Sequence, residues 1–128
     1  MPVVSIGVDI CDIKRIRSIE EKSGARFLQK VFTQHEIAYC EKKVDKHSSF
    51  AARFAAKEAL MKALGTGLRD GLQWKDTEVR NDILGRPYFH FYGKVATLIE
   101  RRSVFLSLSH TDENAIAYVL IEGEPFQP

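Results

Sequence analysis

The sequence predicts an α+β fold in which a mostly antiparallel sheet packs against a long central helix and shorter helices. Three observations predict it: residues 3–10 are rich in β-branched side chains, residues 49–64 are rich in alanine without Gly or Pro, and two strand pairs follow. The order strand, helices, strand pair, helix, strand pair is typical of α+β proteins. A length of 128 residues fits one domain, spanning residues 1–128.

The first half of the chain predicts a strand and three helices. They are the strand 3–10 and the helices 12–21, 25–31 and 33–43. The strand is apolar and delivers Asp9 near its end, and the helix after it has a basic outer face. Ser23 and Gly24 end that helix. Thr33 begins the third helix, because Glu36 three residues later completes a capping box.

The second half predicts one long helix, a shorter one and two strand pairs. They are the helix 49–64, the strands 77–81 and 88–92, the helix 94–102, and the strands 104–109 and 115–121. A polar break at 45–49 precedes the long helix, and Gly65 ends it as a glycine C-cap. A glycine-bearing loop follows at 67–71. The segment 82–87 is a turn between the first two strands.

Composition excludes several classes of protein. Lys and Arg number 19 and Asp and Glu 17, a net charge of +2, which excludes an acidic disordered chain and a strongly basic nucleic-acid coat. The two cysteines, Cys11 and Cys40, are too few for a disulfide scaffold and indicate a reducing compartment. The longest apolar run, 115–121, is far too short to span a membrane, and residues 1–10 do not read as a signal peptide. We therefore expect a cytoplasmic protein.

Charged side chains on the long helix are the first candidate site. This helix is apolar nearly all round, as buried helices are, yet it carries four charges. They are Arg53, Lys57, Glu58 and Lys62. A structural interpretation is an ordinary Glu58–Lys62 pair one turn apart on a half-exposed face. A functional interpretation is a binding site, because charges near a core need partners or a function.

Asp9 and His110 are candidates from other elements. Asp9 ends an apolar strand and could cap the following helix, although Asp12 competes for that position. His110 enters a turn after Ser107 and Ser109, where a lone histidine is more often solvated than catalytic.

Taken together, these residues suggest a site for a phosphate and a divalent metal. Mg²⁺ prefers one or two protein carboxylates, with phosphate oxygens and waters completing its octahedron. Lys and Arg neutralise the remaining phosphate charge. Neither GxxxxGK[ST] nor GxGxxG after a strand occurs, so side chains would have to hold the phosphate.

Four motifs in series give the chain a family resemblance. They are IGVDICDIKRI, RFAAKEALMKALGTG, the hairpin NDxxGRPY and SLSHTDENAIAYVLIE, which together span residues 6–122. In order and spacing they closely resemble the holo-[acyl-carrier-protein] synthases, the small bacterial 4′-phosphopantetheinyl transferases. The resemblance implies that family's fold and transfer of 4′-phosphopantetheine from coenzyme A to a serine of apo-acyl carrier protein, in fatty acid biosynthesis, with release of adenosine 3′,5′-bisphosphate.

The same resemblance implies roles for individual residues. Asp9 and Glu58 would bind Mg²⁺, and Lys62 and His110 would contact coenzyme A phosphates as part of the catalytic set. Glu58, directly or through a metal-bound water, would deprotonate the serine. Other positions would line the nucleotide pocket: Arg53, Gly65, Thr66, Gly67 and Ser109. Family members of this length are typically homotrimers with active sites between subunits.

The basic face of the first helix suggests a docking surface. Lys14, Arg15 and Arg17, with Lys22 and Arg26 nearby, suit an acidic carrier protein. The structural alternative is a solvated helix face. Two functional alternatives stay open: a nucleotide-binding module without catalysis, and a small nucleic-acid-binding domain. The helix lacks stacking aromatics, which argues against nucleic acid.

Overall fold

The computed structural model of the chain describes residues 1–66, 68 and 71–127. Its helices are α1 (Ile13–Val31), α2 (Gln34–Glu41), α3 (Lys46–Leu64) and α4 (Gly93–Ile99). Its strands are β1 (Val3–Asp12), β2 (Thr77–Asn81), β3 (Pro87–Phe91), β4 (Arg102–His110) and β5 (Asn114–Gly123). A short 3₁₀ helix, Trp74–Asp76, precedes β2. The element order confirms the predicted α+β class.

Two antiparallel sheets make up the β-structure of the described residues. The larger has the strand order β1-β5-β4, and β2 and β3 form a separate two-stranded sheet. In the larger sheet Cys11 pairs with Ala115, which pairs in turn with His110. Because β5 lies in the middle, Asp9 on β1 and His110 on β4 belong to opposite edge strands.

Helix α3 packs directly on β1 because both surfaces carry small residues at the contact. A Cβ atom added at Gly7 would lie 2.0 Å from the carbonyl oxygen of Ala59, so only glycine permits this approach. The Ser5 hydroxyl also donates to the carbonyl of Ala63 at 2.5 Å. Six of the thirteen buried residues of α3 are alanines. The alanine-rich pattern therefore fixes how close α3 comes to the sheet.

Several predicted boundaries are wrong, each for a local reason. β1 extends past residue 10 to Asp12, which caps α1. α3 begins at Lys46 rather than residue 49, because Asp45 accepts a hydrogen bond from the Ser48 amide and caps it. The predicted polar break is thus mostly the first turn of α3, whose His47 contacts Glu20 at 2.7 Å.

The remaining differences lie at other helix ends. The predicted break between the helices 12–21 and 25–31 is confirmed at Gly24, whose backbone is non-helical (φ 49°, ψ −129°), although the two helices run together across this kink as one element, α1. α2 ends at Glu41 rather than residue 43, and α4 ends at Ile99 because β4 already begins at Arg102. The predicted loop 67–71 lies partly outside the described residues.

The outer face of the larger sheet is apolar and exposed. Val8 on β1 and its cross-strand partner Tyr118 on β5 lie on this face, and the two residues are 49% and 42% exposed. Its other exposed members are Ile6, Ile10, Phe105 and Ile116. A contiguous exposed apolar patch on a sheet is more often a surface that binds a partner than one that stays in contact with solvent.

Two further predictions concern location. No helix among the described residues is long and apolar enough to cross a membrane. Cys11 and Cys40 are both buried free thiols. Burial raises their pKa values to about 11 and about 12, which keeps both thiols protonated and unreactive near neutral pH.

Candidate active site

The structure brings Asp9, Glu58 and Lys62 together beside β1. The close approach of α3 at Gly7 places one helical turn, with Glu58 and Lys62, next to the end of the strand. Lys62 Nζ donates to Asp9 Oδ1 at 3.0 Å and to the Val8 carbonyl at 3.1 Å. The ion pair of Lys62 is therefore with Asp9, and the Glu58–Lys62 pair of the structural interpretation is not what the structure contains. We call this set the carboxylate group.

The electrostatics of Glu58 reflect these neighbours. Burial raises the pKa of Glu58 above its ordinary value, and the nearby Asp9 carboxylate raises it further. Lys62 and Arg15 act in the opposite direction. A cation bound near both carboxylates would offset the effect of the Asp9 charge on Glu58.

These two carboxylates suit a magnesium ion whose coordination shell is completed by phosphate oxygens of a substrate. Among the described residues no group of three or more His, Cys, Asp or Glu side chains could hold a metal alone. Asp9 and Glu58 supply the one or two carboxylates that Mg²⁺ takes when phosphate oxygens provide other ligands. The donor set thus suits a metal that binds with a phosphate substrate.

Arg53, Ser109 and His110 line a separate cavity of about 320 Å³. Tyr39 and Asn81 also line it, and neither was predicted from the sequence. Arg53 Nη2 donates to Asn81 Oδ1 at 2.6 Å, and its guanidinium lies 4.1 Å from the Tyr39 ring centroid. In the described part of the chain the buried Arg53 Nε has no hydrogen-bond partner. A cationic cavity of this size can receive an anionic nucleotide; we call it the nucleotide cavity.

The two sets lie on opposite sides of α3. Arg53 and Lys62 are 62 − 53 = 9 positions apart, or about two and a half turns, so their side chains point in opposite directions. His110 belongs to the edge strand opposite the one that carries Asp9. The structure therefore does not gather all the predicted residues into one cluster within one chain.

The other predicted nucleotide contacts lie at the end of α3. Gly65 adopts a left-handed conformation with φ of 77°, and its amide donates to the Met61 carbonyl at 2.9 Å, which confirms the predicted glycine C-cap. Thr66 follows it, half-buried. Gly67 lies outside the described residues.

The predicted docking residues are exposed at the start of α1. Asp12 caps this helix by accepting from the Lys14 amide at 3.0 Å, so Asp9 is not used as a cap. Lys14, Arg15 and Arg17 are all exposed. Arg15 also lowers the pKa of Glu58, so the basic face adjoins the carboxylate group.

A buried ion pair that was not predicted from the sequence lies behind the site. Lys57 and Glu36 are both fully buried, and Lys57 Nζ lies 2.9 Å from Glu36 Oε1. Burial lowers the pKa of Lys57, and Glu36 partly offsets this. The signal was present, because Lys57 is a charge among alanines, but Glu36 already had a role in the capping box.

Comparison with known proteins identifies the family. The family model of the 4′-phosphopantetheinyl transferase superfamily matches residues 5–119. The holo-[acyl-carrier-protein] synthase of Koribacter versatilis is 44% identical over 123 residues, covering 94% of this chain and 98% of the relative. That of Syntrophus aciditrophicus is 47% identical over 120 residues, covering 91% and 94%.

Solved structures agree in fold. The holo-[acyl-carrier-protein] synthase of Neisseria meningitidis matches with a TM-score of 0.87 and 31% identity, covering 94% of this chain and 99% of that one. The Helicobacter pylori synthase in complex with coenzyme A matches with a TM-score of 0.82 and 31% identity, covering 91% and 99%. The chain therefore belongs to the 4′-phosphopantetheinyl transferase superfamily and is an enzyme of the holo-[acyl-carrier-protein] synthase type.

Proposed function

We propose that this chain, as one transferase domain over residues 1–128, moves 4′-phosphopantetheine from coenzyme A to a serine of apo-acyl carrier protein. The second product is adenosine 3′,5′-bisphosphate, and the holo-carrier serves fatty acid biosynthesis. One observation carries the proposal: Lys62 donates to Asp9 at 3.0 Å, and the charges of both residues act on the nearby Glu58, which makes a donor set suited to a metal-bound phosphate. The Helicobacter pylori relative was solved in complex with coenzyme A, which supports the choice of donor.

The chemistry is a displacement at phosphorus. The serine oxygen of the carrier forms a bond to the phosphorus that bears pantetheine, and the bond from that phosphorus to the bridging oxygen breaks. The bridging oxygen leaves with adenosine 3′,5′-bisphosphate. Glu58, directly or through a water, takes the serine proton as the general base. Lys62 stabilises negative charge on the phosphates.

Asp9 and Glu58 are the residues that would hold Mg²⁺. When bound, the ion supplies positive charge that polarises the phosphate oxygens and stabilises the leaving group. Lys62 orients the Asp9 carboxylate through their 3.0 Å contact.

The nucleotide cavity would bind the adenosine bisphosphate portion of coenzyme A. Arg53 supplies a buried positive charge with a free Nε–H among the described residues. Ser109 and His110 add polar contacts at the rim. The backbone at Gly65 and Thr66 is proposed to line the same site from the end of α3, with Gly67 beyond it.

A homotrimer reconciles the two separated halves of the site. We propose that copies of the chain cover the apolar face formed by Ile6, Val8, Ile10, Phe105, Ile116 and Tyr118. The carboxylate group of one copy would then meet the nucleotide cavity of the next, since a cyclic assembly repeats one heterologous contact. Each copy would contribute half of every active site.

The carrier protein would dock on the basic face of α1. Lys14, Arg15 and Arg17 are exposed there, and the positive charge of Arg15 lowers the pKa of Glu58. An acidic carrier bound on this face would place its serine near the general base. A cytoplasmic location is the prediction that goes with the two free cysteines.

Mass spectrometry of the carrier protein tests the proposal. Apo-acyl carrier protein is incubated with the enzyme, coenzyme A and Mg²⁺, with Glu58→Gln protein as the control. We expect the carrier to gain the mass of one phosphopantetheine group on its serine, only with the unmodified enzyme. A carrier of unchanged mass alongside measurable coenzyme A binding would instead indicate a nucleotide-binding module, and salt-sensitive oligonucleotide binding a nucleic-acid-binding domain.

A further inference from the structure

The free edge of β2 is held by a buried ion pair. Among the described residues β2 pairs only with β3, so its other edge needs hydrogen-bond partners for its backbone. The Val79 amide donates to Glu36 Oε2 at 2.8 Å. The Thr77 carbonyl, on the same edge, accepts from Lys57 Nζ. The carboxylate and the ammonium thus take the place of a neighbouring strand.

Both charges of this pair are fully satisfied. The three donor positions of the Lys57 ammonium reach Glu36 Oε1 at 2.9 Å, the Trp74 carbonyl at 3.1 Å and the Thr77 carbonyl. Glu36 also accepts from the Thr33 amide at 2.9 Å. A buried ion pair whose hydrogen-bonding positions are all occupied favours a single packing of the elements around it, because any shift of these elements leaves a charge unpaired. It locks α2, α3 and β2 together.

The same contact sets the position of β2 along α3. Lys57 contacts Thr77 at the start of β2, and Arg53, one turn earlier on the same face of α3, contacts Asn81 at its end. A slip of β2 by one residue, about 3.3 Å, would separate Arg53 from Asn81. Both of these residues line the nucleotide cavity.

We propose that Lys57 and Glu36 are a positioning pair for the nucleotide cavity. Neither residue lines the cavity, so the pair acts through Arg53 and Asn81. It governs binding of the adenosine bisphosphate portion of coenzyme A and leaves binding of the carrier protein unaffected. The inference rests on the proposed function, since it concerns the coenzyme A site of that reaction.

Two substitutions test the pair. Lys57→Met removes the charge at similar length, and Glu36→Gln retains the shape of the carboxylate. We expect both to raise KM for coenzyme A, and Kd for adenosine 3′,5′-bisphosphate by calorimetry, between about tenfold and a hundredfold. KM for the carrier protein should stay unchanged.

A matched control separates positioning from stability. Ile121→Ala opens the core in β5, at the end of the sheet away from the cavity, where Ile121 pairs with Val104. It should lower the unfolding free energy but leave both KM values unchanged, because partial unfolding reduces only the amount of active enzyme. If Lys57→Met and Glu36→Gln behave like this control, the pair is purely structural and the proposal is wrong.

The wild-type protein gives a test that does not depend on variants folding. If the ion pair and the cavity are coupled, adenosine 3′,5′-bisphosphate must slow hydrogen exchange at the Val79 amide, which Glu36 holds. Unchanged exchange at saturating bisphosphate would overturn the inference. A wild-type enzyme that binds bisphosphate but leaves the carrier unmodified would refute the proposed function and not this coupling.

Discussion

Arg53 and Lys62 project from opposite sides of helix α3, each held by a partner from a different sheet. Arg53 donates to Asn81 on β2 at 2.6 Å, and Lys62 donates to Asp9 on β1 at 3.0 Å. We propose that one coenzyme A molecule contacts both cations. The body of α3 separates them within a chain, which is why we propose a site built from two copies.

The carboxylate group gives the first prediction. Asp9→Asn and Glu58→Gln should each lower kcat about a hundredfold or more, because each removes charge that the reaction centre needs. Circular dichroism should show an unchanged fold. Glu100→Gln, an exposed carboxylate after α4, is the control and should keep full activity. Near-normal turnover by either site variant would refute the assignment.

The basic face of α1 gives the second prediction. Lys14→Glu combined with Arg17→Glu should raise KM for the carrier protein about tenfold or more, since it reverses the field that attracts an acidic partner. KM for coenzyme A should change little. Arg15 is left intact because it also acts on Glu58. Arg101→Glu, a single charge reversal at a side chain 78% exposed between α4 and β4, is the control and should leave both KM values unchanged. Equal effects of the double variant on both KM values would contradict docking at this face.

The apolar sheet face gives the third prediction. Tyr118→Glu places a charge in the middle of this face, where burial against another copy would be costly. Analytical ultracentrifugation should show a trimer for the natural protein and monomers for the variant, with transfer activity lost. Ile83→Glu makes the same change at a side chain fully exposed on the β2–β3 turn and should leave assembly intact. A Tyr118→Glu protein that still forms active trimers would show that another surface mediates assembly.

Glu78 gives a prediction about pH and stability. Burial alone would raise the pKa of Glu78, but hydrogen bonds from Thr33, Arg80 and Tyr92 outweigh it and hold the pKa below the ordinary range. A depressed pKa stabilises the fold above the unfolded-state value of about 4.3, and this stabilisation is lost as pH falls through the folded pKa.

Denaturant unfolding of Glu78→Gln tests this sign. The variant should be less stable than the natural protein at pH 7, and the difference should shrink at pH values below about 4. Glu100→Gln serves again as the exposed control. A stability difference that is the same at both pH values would mean that the charge of Glu78 contributes nothing.

Most of the fold could be predicted because its signals are local. The capping box at Thr33 and Glu36, the glycine C-cap at Gly65 and the alanine-rich run all depend on neighbours in sequence. The start of α3 could not be placed, since its first turn is polar for a tertiary reason: His47 contacts Glu20 on α1. From the sequence alone, polar residues that make such a contact cannot be distinguished from the polar residues of a loop.

The candidate site could be predicted only in part. Asp9 and Glu58 stood out because each is a charge in apolar surroundings. Tyr39 and Asn81 did not, because nothing near them in the sequence indicates that β2 and α2 meet at Arg53. The separation of the site into two halves follows from the helical rotation between Arg53 and Lys62, and it depends on which elements pack on each side of α3.

The most direct measurement of the shared site is complementation between two inactive variants. Glu58→Gln disables the carboxylate group, and His110→Ala disables the exposed rim of the nucleotide cavity. The two proteins are coexpressed so that mixed trimers form, and mass spectrometry of intact assemblies verifies the mixture. In a cyclic trimer each mixed assembly contains one interface with both natural halves, so activity should return to about a quarter of the natural rate. Mixed trimers as inactive as either variant alone would contradict a site shared between copies.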